Sequence, residues 1–139
     1  MVEALISLMC TVPDAGGGFK SQPAPTAQPG PGDVHVLAGS TLRDVVIKGG
    51  KNTLVVFYDP KCPHCVELMP QLDAAAAALA VDPDVVVAKM DVTTNSVSLP
   101  FEVKTVPTLY FKPKTGFPFR YRGLRDSRAL LAFIAMQRT

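Results

Sequence analysis

The sequence of 139 residues lacks the features that define several protein classes. It contains no tryptophan, and its three cysteines are too few for a mini-protein held together by disulfides. No apolar run approaches the ~20 residues that a membrane-spanning helix needs. Basic and acidic residues nearly balance, 14 against 12, so bulk charge indicates neither a nucleic acid nor a membrane surface as partner. Hydrophobic residues, at 47%, suffice for the core of one domain.

Prolines are abundant by contrast, and the early ones divide the chain. Residues 13–32 are rich in proline and glycine and show almost no apolar periodicity, which is typical of a linker. We therefore expect a short apolar segment 1–12, a linker 13–32 and a folded domain 33–139. A secretory signal is one interpretation of segment 1–12, but Glu3 stands where a signal has basic residues. We favour the remnant of an amphipathic helix from an upstream domain.

Strand and helix signals alternate through the folded domain. The order β-α-β-α-β-(α)-β-β-α predicts an α/β fold whose sheet is parallel at first and mixed at its end. Thr41 and Asp44 have the spacing of a capping box, and Asp126 or Ser127 is expected to cap the last helix. The predicted strands cover residues 34–37, 54–58, 85–88, 108–111 and 117–121, and the predicted helices cover 41–48, 62–80, 96–101 and 127 onward.

Two cysteines form the motif Cys62-Pro63-His64-Cys65, at the junction of a buried strand and a helix. The free N–H groups and dipole of the first helical turn favour the thiolate of Cys62, and a thiolate is the species that attacks a disulfide. Cys65, about one turn on, is placed to resolve the mixed disulfide. Pro63 begins the helix without losing a hydrogen bond, and His64 adds positive charge near Cys62.

Other interpretations of the motif have less support. A zinc site needs two more ligands, and only Cys10 and His35 remain. Haem attachment needs a histidine where Val66 stands. An inert structural pair is possible, but a helix start is an unusual place for one. We interpret Cys10 as a small hydrophobic residue of the upstream helix, and His35 as structural or exposed.

Three features occur together around this motif: the run from Phe57 to Cys65, Pro70 inside the following helix, and Val106-Pro107-Thr108. In this combination, from about Asp33 to Met136, the chain resembles the catalytic thioredoxin-fold domains of protein disulfide isomerases. The resemblance implies a thioredoxin fold with a central mixed sheet flanked by helices. It also implies a cis Val106–Pro107 bond that faces the cysteines and binds extended substrate backbone, and an Arg125 that lowers the pKa of Cys65.

The sequence departs from the family pattern at three places. Val56 occupies the position of a buried acid that exchanges protons with the second cysteine. Lys89, the lysine that pairs with that acid, must then extend its ammonium group to solvent, lose its proton or find another acid such as Asp59. We therefore expect slow proton transfer at Cys65. Lys61 replaces the tryptophan that usually precedes the first cysteine. The Pro-His pair between the cysteines resembles that of the bacterial periplasmic disulfide oxidase and predicts an oxidising disulfide.

The resemblance implies a thiol–disulfide oxidoreductase of the endoplasmic reticulum lumen that acts on cysteine-containing client proteins. Glutathione or an oxidase is the expected redox partner, and we expect no metal, organic cofactor, nucleic acid or membrane to take part. Two alternatives remain open. One is a reductase like thioredoxin, and the other is a chaperone-like binding module whose redox activity is weakened by Val56.

Overall fold

The computed structural model describes residues 10–12, 19–26 and 29–139. In these ranges the strands are β1 (Cys10–Thr11), β2 (His35–Leu37), β3 (Asn52–Tyr58), β4 (Val85–Asp91), β5 (Thr105–Val106), β6 (Thr108–Lys112) and β7 (Phe119–Tyr121). The helices are α1 (Leu42–Val46), α2 (Pro63–Ala78) and α3 (Ser127–Gln137). None of the helices described is long and apolar enough to cross a membrane.

Five strands form one mixed sheet in the order β2-β4-β3-β6-β7. β2 and β3 run parallel to β4, whereas β6 is antiparallel to β3 and β7 is antiparallel to β6. β3 lies at the centre, and every residue except its last is buried. Burial on both faces explains why this strand is a nearly continuous apolar run. The predicted α/β architecture, with its parallel part first and its hairpin last, is confirmed.

The sheet separates two apolar cores. Leu54 and Val56 of β3 pack in the core formed with α2 and α3. Val55 and Phe57 point the other way, into the core that includes α1 and both cysteines of the motif. This alternation follows from the period of two along a strand. The motif therefore follows the carboxyl end of the central strand, with helices on both faces to hold it.

The two long helices begin close to where the sequence predicts. Cys62 is the N-cap of α2, with Pro63 as its first residue and Pro70 inside it. At α3 the carboxylate of Asp126 accepts a hydrogen bond of 2.9 Å from the N–H of Ala129. These caps confirm the expected helix starts, and they place Arg125 immediately before α3.

Two local expectations are wrong. Thr41 precedes α1 but makes no side-chain cap, because its hydroxyl is already bonded to the backbone of Ala38. Residues 96–101 form no helix: Leu99 and Pro100 form a turn, and the other four have no regular secondary structure. Pro100 has no backbone N–H to donate and disfavours helical backbone at the residue before it. The weakly predicted helix therefore does not form.

The described parts of the predicted linker lie against the domain. Lys20 donates its N–H to Ser96 Oγ and accepts from the N–H of Ser96, both at 2.7 Å. Buried Asn95 accepts from the N–H groups of Gln22 and Gly39, each at 2.8 Å. We call this set of bonds the Asn95 clamp. Gly39 is required beside it, because a Cβ there would come within 2.7 Å of the Lys20 carbonyl oxygen.

The proposed division of the N-terminal part is revised where the structure describes it. Cys10 and Thr11 are strand, not helix. Residues 1–9, on which most of the expected helix falls, and residues 13–18, which include the glycine-rich part of the linker, lie outside the described residues. An upstream domain therefore stays a prediction.

Candidate active site

Cys62 occupies the N-terminus of α2. Its backbone is extended, with φ −76° and ψ 125°, as is normal for an N-cap. Its N–H donates to the Asp59 carbonyl oxygen at 3.1 Å, and its own carbonyl oxygen accepts from Val66 at 3.0 Å. Those bonds fix the sulfur-bearing residue where the helix dipole favours a negative charge. The position predicted for Cys62 is thus the one found.

The disulfide of Cys62 is the main surprise of the site. Cys62 is bonded to Cys10, with their Cα atoms 6.2 Å apart, and not to Cys65. The interpretation of Cys10 as a small hydrophobic residue of a remote helix is therefore wrong. β1 runs antiparallel to β5, which brings Cys10 opposite Val106 and directly beside the cysteine motif. The sequence separation of 52 between the two cysteines, with a predicted linker inside it, hid this proximity from sequence reasoning.

Cys65 is a buried free thiol. Burial raises its pKa, and this effect is larger than the opposing hydrogen bond from the Asp59 backbone. The Asp59 carboxylate raises the pKa further, while the positive charge of Arg125 lowers it. Sequence reasoning considered Asp59 only as a partner for Lys89. Asp59 lies directly after β3 and three residues before Cys62, and this position could have indicated that its carboxylate affects Cys65.

The proline loop lies between β5 and β6, next to the disulfide. The Val106–Pro107 bond is cis, as expected, and so is Leu99–Pro100, which was not predicted. Val106 and Pro107 are both buried. Arg125 is exposed, and its Nη2 donates to the Pro107 carbonyl oxygen at 3.4 Å. One arginine thus contacts the proline loop and contributes positive charge at Cys65.

At the position of the expected acid, Val56 is completely buried among apolar side chains. Lys89 lies opposite it on the parallel strand β4. The ammonium group of Lys89 lies 5.6 Å from the centre of the Tyr58 ring, a cation–π contact. Lys89 is half-buried, and the face of this aromatic ring gives its charge a partner.

The remaining predicted side chains lie outside the group formed by the cysteines and the proline loop. His64 is half-buried and lines a shallow cavity with Glu67, Arg125 and Asp126. Lys61 is exposed, and its N–H donates to Asp59 Oδ1 at 2.8 Å. His35 lies in β2, outside the motif, and burial lowers its pKa. Among the described residues, no group of three histidine, cysteine or acidic side chains could hold a metal ion.

Comparisons with known proteins identify relatives of this chain. A protein disulfide-isomerase of Hordeum vulgare is 45% identical over 115 residues, which are 83% of this chain and 22% of the relative. A similar relative in Medicago sativa has 44% identity, and the chain spans about a fifth of the length of these relatives. The human ERp44 structure in its zinc-bound form has a TM-score of 0.68 at 23% identity over 77% of this chain and 30% of that one. This last likeness concerns the fold alone.

The Thioredoxin family model matches residues 33–136, which are more than half of the chain. The matched range contains the central sheet, the cysteine motif and the proline loop. It leaves out Cys10, the residue that the structure adds to the site. The chain belongs to the thioredoxin family.

Proposed function

We propose that this chain catalyses thiol–disulfide exchange on cysteine-containing client proteins through Cys62 and Cys65. The observation that carries the proposal is the arrangement of these two residues. Cys62, at the start of α2, is joined to another cysteine in an extended strand, while the Cys65 thiol is free one turn on. A resolving thiol next to a mixed disulfide is what exchange requires.

The reaction proceeds in two steps. The Cys62 thiolate attacks a client disulfide, so that a Cys62–client disulfide forms and the other client sulfur leaves as thiolate. Cys65 then loses its proton and attacks the Cys62 sulfur, which releases the client and forms the Cys62–Cys65 disulfide. The same steps in reverse oxidise a client dithiol. Pro107 and Val106 position client backbone at the β5 edge, with Pro63, His64 and Lys61 favouring the Cys62 thiolate.

Arg125 and Asp59 act on the second step. Cys65 must ionise while it is buried, which its raised pKa opposes. The charge of Arg125 offsets part of that cost, and Asp59 is an acid close enough to affect the same thiol. With Val56 in place of the usual acid, and Lys89 over Tyr58 instead, we propose that this step limits the release of clients.

Partners and compartment belong to the same proposal. The relatives are protein disulfide-isomerases of about five times the matched length. We propose, as the resemblance implies, glutathione or an oxidase as redox partner and the endoplasmic reticulum lumen as the compartment. A thioredoxin-like reductase remains the alternative on fold alone. A chaperone-like binding module is favoured by the valine at position 56.

The decisive experiment compares Cys62→Ser with the parent chain in insulin reduction and in refolding of a scrambled disulfide protein. We expect Cys62→Ser to lose both activities, since the attacking sulfur is gone. Retained insulin reduction would contradict the proposal. Loss of insulin reduction with full refolding assistance would favour the binding module. Insulin reduction without any disulfide rearrangement by the parent would favour the reductase.

A further inference from the structure

The segment Cys10–Val12 lies along β5 as an extended strand. Cys10 pairs in register with Val106 and Thr11 with Thr105. The N–H of Val12 donates to the Lys104 carbonyl oxygen at 2.9 Å. The segment therefore pairs with the backbone edge next to Pro107, and the sulfur of Cys10 forms a disulfide with that of Cys62.

The chain itself holds this segment near the site. The Asn95 clamp fixes Lys20 and Gln22 through bonds of 2.7–2.8 Å. Only seven residues separate Val12 from Lys20. A tether this short keeps a binding segment at a local concentration on the order of millimolar. Cys10 is consequently always available to Cys62.

We propose that Cys10 is a third redox cysteine of this site and that Cys10–Val12 is a client carried within the chain. The inference rests on the exchange reaction proposed above. An external client needs the same strand edge and the same Cys62 sulfur, so the internal segment has to leave before such a client binds. The Cys10–Cys62 disulfide is then an exchange intermediate rather than a permanent staple, because Cys65 lies beside it as a free thiol.

The exchange needs no outside oxidant. The Cys65 thiolate attacks the Cys62 sulfur, the Cys10–Cys62 bond breaks, and a Cys62–Cys65 bond forms. Cys10 leaves as thiolate and takes up a proton equivalent to the one that Cys65 lost. One disulfide and one thiol are present before and after, so the oxidised chain has two forms that interconvert.

Disulfide mapping of the 139-residue chain tests the first part. The chain is oxidised with glutathione disulfide, acid-quenched, alkylated, digested and analysed by mass spectrometry. We expect a Cys10–Cys62 peptide with Cys65 alkylated, together with a Cys62–Cys65 peptide with Cys10 alkylated. In Cys65→Ser, the Cys10–Cys62 peptide should become the only internal disulfide. Its absence from both chains would overturn the inference.

A matched pair of variants tests whether the strand contact holds the segment. Val12→Pro removes the N–H that donates to Lys104, whereas Val12→Ala keeps it. We expect Val12→Pro to lower the ratio of Cys10–Cys62 to Cys62–Cys65 by about fivefold, as the loss of one hydrogen bond implies. Val12→Ala should stay near the parent ratio. Equal ratios in all three chains would show that β1 does not bind as a client strand.

Single-turnover oxidation of a reduced two-cysteine peptide separates this inference from the proposed function. The oxidised parent should react in two phases, the slower one limited by release of Cys10, whereas oxidised Cys10→Ser should react in one fast phase. One identical phase in both chains would overturn the inference and leave the exchange activity standing. If neither chain oxidises the peptide, the proposed function fails as well.

Discussion

The thiol of Cys65 is governed by groups on three different elements. Burial against the sheet raises its pKa, and the Asp59 carboxylate after β3 adds to that rise. Arg125, immediately before α3, opposes it. Because the thiolate is the reactive form, we expect these groups to set how fast Cys65 resolves a mixed disulfide at Cys62 in the proposed reaction.

Removing the charge of Arg125 should slow resolution. In Arg125→Ala we expect the pKa of Cys65 to rise, because a favourable positive charge is lost. The midpoint of the pH–rate profile then moves upward, and below it resolution slows by roughly two- to fivefold, as suits an exposed charge. Stopped-flow release of glutathione from Cys62 in a Cys10→Ser background measures this. Arg122→Ala, an exposed arginine in the same loop, is the control, and identical profiles for both variants would contradict the prediction.

Restoring an acid at position 56 should accelerate the same step. Val56→Glu places a proton acceptor in the core beside Lys89, and we expect faster release of glutathione than in the parent. Val56→Gln has nearly the same shape without a carboxylate and should give no acceleration. Both variants bury a polar group and should lose about 1–3 kcal/mol of stability. Equal release rates for Val56→Glu and the parent would refute the idea.

At the scale of elements, the cap of α3 fixes the position of Arg125. Asp126 caps α3 and so fixes the turn from which Arg125 reaches Pro107. Gln71 of α2 also accepts from the N–H of Ser127 at 2.9 Å. The two long helices are therefore joined at the end that carries Arg125.

Loss of that cap should be measurable in the whole domain. We expect Asp126→Ala to lower the free energy of unfolding by about 1 kcal/mol, because the N–H of Ala129 loses its acceptor. Asp126→Asn keeps an acceptor at the same place and should lose less. Urea denaturation followed by circular dichroism gives both values. Equal losses would mean that the negative charge, rather than the hydrogen bond, stabilises α3.

Local signals predicted most of these elements, and remote contacts account for the failures. The apolar run of β3, the cap at Asp126 and the hairpin of β6 and β7 depend on neighbouring residues and are confirmed. The pairing of β1 with β5 depends on chain closure across more than 90 residues, which no local pattern encodes. For the same reason, the motif identified Cys62 and Cys65, whereas Cys10 was misassigned and the effect of Asp59 on Cys65 was missed.

For the whole molecule, the balance between oxidised and reduced forms follows from the site. The first turn of a helix favours a thiolate, and a stabilised thiolate makes a disulfide more oxidising, so we expect the Cys62–Cys65 pair to be oxidising. Under the exchange proposed above, the Cys10–Cys62 bond competes with a Cys62–Cys65 bond, and a titration of the parent chain would report both disulfides together. The Cys62–Cys65 pair has to be measured without Cys10.

A glutathione titration of Cys10→Ser should give a reduction potential less negative than the ~−270 mV of thioredoxin. Adding Pro63→Gly to Cys10→Ser creates the Gly-His pair typical of isomerases. The difference between the reduction potentials of the two chains measures the contribution of the proline at the helix start. A thioredoxin-like value in Cys10→Ser would refute the prediction and favour the reductase alternative.

The Asn95 clamp limits how far Cys10 can travel once it is released. Ten peptide units join Cys10 to Lys20, and a fully extended chain of that length spans roughly 35 Å. A released Cys10 can therefore reach only positions close to its own domain. A client bound there would expose its disulfides to Cys10 as a second nucleophile of the same molecule. The local concentration of Cys10 is set by the chain and does not fall when the protein is diluted.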